Sequence, residues 1–173
     1  MKENQFITSD THFWHTNIIK FCKRPFFDAK RMNDCLVERW NQKVPKNATV
    51  WHLGDFAFHH KADVLERIVR QLNGQIRIIL GNHDEKKEFE KVAHLFAEII
   101  PSGFVEHRVN RRKIVMCHYP MASWNGSHDG SVMLHGHCHG TLEELDGRLD
   151  VGVDCHGNYE PFSYDEVMER IAT

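Results

Sequence analysis

Three times in the first hundred residues a short apolar run stops on a polar turn and is followed by a segment with helical spacing, a rhythm that leads to parallel strands with helices packed on them. Gln5 to Ser9, with Phe6 and Ile7, reads as the first strand and ends at Asp10. Thr49 to Leu53 is the second and ends in Gly54-Asp55; Ile76 to Leu80 is the third and ends in Gly81-Asn82-His83-Asp84. Between them, Met32, Leu36, Val37, Trp40 and Val44 recur at helical spacing from Ala29 to Val44, with Asp28 as N-cap and Pro45 as stop. Val64, Leu65, Ile68, Val69 and Leu72 mark a helix that closes near Asn73-Gly74, and Phe89, Val92 and Phe96 one within Glu85 to Phe96. Beyond Pro101 the pattern turns β-rich: Phe104 to Val109, a turn at Asn110-Arg111, Ile114 to Cys117, Val132 to His135, and a hairpin from Leu142 to Val153 turning at Asp146-Gly147. Ser163 and Glu166 form a capping box that opens a terminal helix. The expected fold is α/β, two sheets packed together between helices, in a single domain over 1–173.

Apolar residues at 41% and charged residues at 27% exclude a disordered or fibrous chain. Apolar stretches are as short as Ile78-Ile79-Leu80, so no membrane span and no secretory segment near Met1 is expected, and the cytoplasm is the expected compartment. Lysine and arginine total 22 against 24 acidic residues, a net charge of −2 that gives no global field for long nucleic acid. A local patch of Arg108, Arg111, Arg112 and Lys113 is the exception. Five cysteines (Cys22, Cys35, Cys117, Cys138, Cys155) contain no C-x-x-C pair and read as free thiols. Fourteen histidines remain, and their placement decides the reading.

In open α/β folds ligands bind beyond the carboxyl ends of the strands. Here five strand ends deliver Asp10-Thr11-His12, Gly54-Asp55, Gly81-Asn82-His83-Asp84, His118 and Gly136-His137-Cys138-His139. The Asp-x-His and His-x-His spacings put alternate side chains on one side of an extended segment, with Cys138 pointing away. Imidazole and oxygen donors without thiolate suit Mn, Fe, Zn, Ni or Co, manganese foremost. Asp10, His12, Asp55, Asn82, His118, His137 and His139 are too many for one cation and favour two that share a carboxylate. Two divalent ions about 4 Å apart activate a bridging hydroxide for phosphoester hydrolysis. His83 is the candidate acid for the leaving group and Asp84 its candidate orienting partner.

Taken in order, these five fragments resemble the signatures of the calcineurin-like metallophosphoesterase family. Phe13 to Ile19, Arg24-Pro25-Phe26 and Val151 to Tyr164 also resemble a small bacterial and phage-encoded subgroup of unassigned substrate. The resemblance implies a four-layer sandwich, two mixed sheets flanked by helices. It also implies one metal at Asp10, His12, Asp55 and His139, a second at Asp55, Asn82, His118 and His137, and His83 at the phosphate. Phe58 and His59 stand where the protein-phosphatase branch has Asp and Arg, which speaks against protein phosphatase activity. Trp14 stands where the subgroup often has glycine. An open site in a chain too short for a large lid, with aromatics around it, leads to an expected substrate that is a small phosphodiester, cyclic and linear nucleotides included, or a phosphomonoester. Trp14, Phe56 and Trp124 are stacking candidates, and Arg24, beside Lys20 and Lys23, is either a phosphate contact or part of a solvated cluster. His15 either lines the site or caps the next helix; His135 reads as core, and His52 as a strand residue. His59, His60, His94, His107, His128 and His156 read as solvated. Two other readings are a non-catalytic scaffold, as in the retromer subunit that resembles the family, and a nuclease using the basic patch. A scaffold would be expected to have lost donors or the acid, and all are present here.

Overall fold

Strand alternation divides each apolar run between two cores. The computed structural model describes residues 4–58, 61–143 and 145–172. Its first half runs β1 (Gln5–Thr8), α1 (Thr16–Phe21), α2 (Ala29–Lys43), β2 (Thr49–His52), α3 (Ala62–Val69), β3 (Gln75–Ile79), α4 (Lys86–Lys91) and β4 (Glu98–Ile100). The second half runs β5 (Phe104–Val109), β6 (Arg112–Cys117), β7 (Val132–His135), β8 (Arg148–Asp150), β9 (Phe162–Ser163) and α5 (Tyr164–Ile171). One sheet has the order β4-β3-β2-β1-β9, parallel except for β9; the other has the order β5-β6-β7-β8, antiparallel only between β5 and β6.

Phe6, Val50, Ile76 and Ile78 face the helices, where they meet Met32, Leu36 and Trp40 of α2, Leu65 and Ile68 of α3 and Phe89 of α4. Ile7, Trp51 and Ile79 face the other way and meet Ile114 and Met116 of β6 and Val132 and Leu134 of β7 between the sheets. Val167 of α5 closes the edge of that inner core. The outer face of the second sheet, with Val115, Cys117 and Met133, is covered by Met121 and Trp124 from the β6–β7 connection. Trp40 anchors α2 and donates its indole N–H to Asn73 O at 2.9 Å; truncating a buried ring of this kind costs about 3–5 kcal/mol. The expected two mixed sheets flanked by helices are present.

Local signals held where chemistry specifies them. Asp28 Oδ1 caps α2 by accepting from Arg31 N at 2.7 Å, and Ser163 and Glu166 form the reciprocal capping box of α5. Asn110 and Arg111 both have left-handed φ, 49° and 69°, as a two-residue type I′ turn requires. Of the expected hairpin-like segment from Leu142 to Val153, the described residues keep the turn at Asp146-Gly147, with Leu145 and Arg148 bridged across it, but not two paired strands: β8 pairs in parallel with β7. Leu142 and Leu145 are exposed, so that stretch has no buried face to hold a strand. The third helical segment stops at Lys91 and finishes as a 3₁₀ turn over 93–95, with Val92 and Phe96 still buried. Because β1–β3 and β6–β7 end at the same edge of the two sheets, their polar C-terminal loops converge there. Asp10 N donates to Gly54 O, His12 N to Asp55 O and Gly136 N to His118 O, each at 3.0 Å.

Candidate metal centre

The converging loops bring the seven candidate ligands into two groups: Asp10, His12 and His139, and Asp55, His118 and His137. In the second group Asn82 joins through Oδ1, 2.9 Å from His118 Nε2. Asp55 stands between the groups. Its Oδ2 lies 3.6 Å from His12 Nε2 and 3.5 Å from His118 Nε2, while its Oδ1 accepts the His83 backbone N–H at 2.9 Å. Asp10 Oδ1 lies 3.9 Å from His12 Nε2 and 4.0 Å from His139 Nε2, and the Asp10 carboxylate accepts the His137 N–H.

Five of the seven, Asp10, His12, Asp55, His137 and His139, have left-handed backbones, with φ between 48° and 69°. The Asp-x-His and His-x-His segments are therefore not extended, contrary to the expectation of strand alternation. The loops instead bend at each donor, so His139 faces Asp10 and His12 while His137 faces Asp55 and His118. A left-handed residue with a Cβ costs about 1–2 kcal/mol, and such strain concentrates at functional sites. Close approach adds its own demand: a Cβ on Gly136 would sit 2.0 Å from Ser9 Oγ and 2.3 Å from Asp10 Oδ2.

Asp84 does not orient the His83 ring as expected. Its carboxylate accepts three backbone N–H groups, from Asp55 at 2.7 Å, Phe56 at 2.9 Å and Gly81 at 2.9 Å, and so staples the β2 loop to the β3 loop. Burial pushes its carboxyl up to about 7, against the pull of those three bonds. Arg24 is corrected in the same way. Its buried guanidinium is spent inside the protein: on Asp154 Oδ1 and Oδ2 at 2.8 and 2.7 Å, on Thr11 O at 2.9 Å and on Asp10 O at 2.7 Å. Asp154 in turn takes His139 Nδ1 at 2.7 Å. Sequence reasoning missed Asp154, because 130 residues separate it from Arg24 and no local pattern marks it.

Two rings also depart from expectation. Phe56 is fully buried against Phe13, His52, Phe89 and Phe96, and Trp124 packs under the second sheet with its indole N–H on Ser131 O. Trp14 is exposed, and its backbone N–H donates to Asn33 Oδ1 at 3.0 Å. His15 makes no helix-capping bond; it stacks on Phe58 and approaches His12, with Nδ1 atoms 3.5 Å apart. His52 and His135 are buried as expected, whereas His156 is buried beside Lys43 rather than solvated. His59 and His60 lie outside the described residues. Arg108, Arg111, Arg112 and Lys113 line a groove of about 490 Å³ at the end of β6 remote from His118.

A family model for the calcineurin-like phosphoesterase superfamily domain matches residues 4–151. The chain belongs to that superfamily. The uncharacterized protein MJ1445 of Methanocaldococcus jannaschii is 34% identical over 96% of this chain and 90% of its own length. A protein of unknown function from Aquifex aeolicus shares the fold at a TM-score of 0.74 and 24% identity, covering 96% of this chain and 98% of that one. YfcE, a phosphoesterase from E. coli, matches at a TM-score of 0.50 and 15% identity over 86% and 78% of the two chains. Both likenesses show the fold alone. Among the described residues no helix is long and apolar enough to cross a membrane.

The donor set of this chain fits divalent cations. Two donors about 2.1 Å from one ion and near-tetrahedral lie about 3.4 Å apart, close to the separations around Asp55 Oδ2. His12 Nε2 is buried with no hydrogen-bond partner. His118 Nδ1 contacts Leu53 O at 2.8 Å, and the N–H there leaves the Nε2 lone pair facing Asn82 and Asp55. Asp154 fixes His139 in the same tautomer, with Nε2 toward Asp10. Burial pushes the Asp10 carboxyl up to about 8 and holds His12 and His118 below the usual imidazole range. Burial alone would also lower His139, but its bond to Asp154 outweighs that and raises it to about 10. The neutral lone pairs of His12 and His118 and the buried carboxyl oxygens of Asp10 and Asp55 crowd one space, and cations relieve that crowding.

Proposed function

We propose that this phosphoesterase, acting as a single domain over 1–173, hydrolyses phosphodiesters, cyclic or linear nucleotides among them, with two divalent cations. Asp10, His12, Asp55 and His139 would hold one, and Asp55, Asn82, His118 and His137 the other. Manganese suits this oxygen and imidazole set first, with iron, zinc, nickel and cobalt also compatible. The observation that carries the reading is Asp55 Oδ2, within 3.6 Å of an imidazole nitrogen from each group. When bound, such a pair clamps phosphoryl oxygens and lowers the pKa of water.

The chain's own residues supply the rest. The His83 backbone N–H holds Asp55 Oδ1, which leaves Oδ2 for the shared position. The His83 ring, with its centroid 5.4 Å from that of His12, donates the proton to the departing oxygen. Asp84 keeps the two loops in register beneath it. Diesters are favoured because Asn82 and His137 are exposed at the rim, which leaves room for a second ester group. The reading is tested with chelator-stripped protein on bis-p-nitrophenyl phosphate and p-nitrophenyl phosphate, with Mn, Ni, Co, Zn and Mg restored singly. Metal-dependent turnover faster on the diester supports it; silence with every metal, or a preference for the monoester, contradicts it.

Asp154 acts through His139, so Asp154→Asn is expected to weaken metal binding roughly 10- to 100-fold in a calorimetric titration. It also leaves the buried Arg24 guanidinium without its counter-charge, and the melting temperature falls. Unchanged metal affinity would show that Asp154 serves stability alone.

A further inference from the structure

His12 to His15 form a tight turn in which the His15 N–H donates to His12 O at 3.0 Å. Neighbouring segments hold that turn in place. His12 N donates to Asp55 O and Phe13 N to Phe56 O, each at 3.0 Å, Trp14 N donates to Asn33 Oδ1 at 3.0 Å, and Phe13 O accepts Phe58 N at 2.9 Å. The result is that His15 Nδ1 stands 3.5 Å from His12 Nδ1, with both residues buried. Phe58 stacks on the His15 ring, with centroids 3.9 Å and planes 7° apart, and so fixes the plane in which that nitrogen points.

An imidazole that gives one nitrogen to a cation carries its proton on the other, and a buried N–H needs an acceptor. Two other donors of the cluster have one: His118 Nδ1 meets Leu53 O and His139 Nδ1 meets Asp154 Oδ2. For His12 the atom in that place, among the described residues, is His15 Nδ1. The nitrogen of His12 that faces Asp10 and Asp55 is Nε2. We propose that His15 is a positioning residue: its Nδ1 accepts the His12 Nδ1–H, its own proton sits on Nε2, and the His12 Nε2 lone pair is thereby kept for the cation held with Asp10, Asp55 and His139. Unlike Asp154 at His139, it does so without adding a negative charge. The inference rests on the two-cation reading and adds to it what sets the direction of one donor.

Proton–nitrogen correlation NMR of the metal-free, isotope-labelled protein near neutral pH reads the proton positions directly. His12 is expected to carry its proton on Nδ1 and His15 on Nε2; a His12 proton on Nε2 overturns the proposal. Calorimetric titration of the chelator-stripped protein with manganese tests the consequence. His15→Phe keeps a flat ring beside Phe58 but offers no acceptor, and is expected to weaken one of the two manganese sites roughly 10- to 100-fold. His15→Asn places Oδ1 on Cγ where the histidine has Nδ1, can accept the same N–H, and is expected to recover most of that loss. Two ions held by His15→Phe as tightly as by the unaltered protein, or equal losses in both variants, overturn the role of His15 and leave the two-cation reading standing. Unaltered protein that binds no manganese removes the reading and the inference together.

Discussion

Asp55→Asn is expected to abolish metal-dependent hydrolysis and to drop the tightly held metal from two ions to at most one. The amide keeps the shape of the carboxylate and can still accept the His83 N–H at the Oδ1 position, so the loop need not unfold. What changes is the atom between His12 and His118, which loses its negative charge or becomes an N–H donor. Because that atom serves both groups, one substitution weakens both, unlike a change at His137 or His139, each of which belongs to one group at this cluster. The measurement is metal content after desalting, beside turnover of bis-p-nitrophenyl phosphate. Two retained ions with full turnover would exclude the shared carboxylate.

His83→Ala separates the acid from the metal donors. Its backbone N–H to Asp55 survives the substitution and the ring is not among the donor groups, so metal content is expected to stay at the unaltered level. Turnover should fall by about 10²–10⁴ on esters with poor leaving groups, the range for loss of a general acid, and far less on nitrophenyl esters, which leave without a proton. A leaving-group series of diesters measures this directly. Equal losses across the series would make His83 an electrostatic contact with the phosphate instead.

Much of this arrangement was legible in the order of residues, for reasons that differ from place to place. Strand ends were readable because Phe6, Ile7, Val50 and Ile76 alternate or cluster and then stop on polar turns. The Asp10, His12, Asp55, Asn82 and His118 positions followed from that stop. How the donors point was not readable: extended geometry was expected at Asp10, His12, His137 and His139, and the left-handed bends depend on hydrogen bonds between loops far apart in sequence. Arg24 carried the same limit. It read as a phosphate contact or as part of a solvated cluster, and only the folded chain brings Asp154 to it. Phe56 and Trp124 follow or precede polar turns much as Phe58 and Tyr119 do, so local pattern could not tell which rings face the core. The shortened hairpin belongs here too: the Asp146-Gly147 turn forms, but Leu142 and Leu145 before it are exposed, whereas Leu149 and Val151 after it join the inner core.

The central claim is a pair of cations sharing Asp55, and the most direct measurement is a crystal of the chelator-stripped protein soaked in manganese, with anomalous scattering used to locate the metal. The account predicts two peaks about 3.5–4 Å apart, one among Asp10, His12 and His139 and one among Asn82, His118 and His137, with Asp55 between them. A single peak, or two that do not share Asp55, would contradict it.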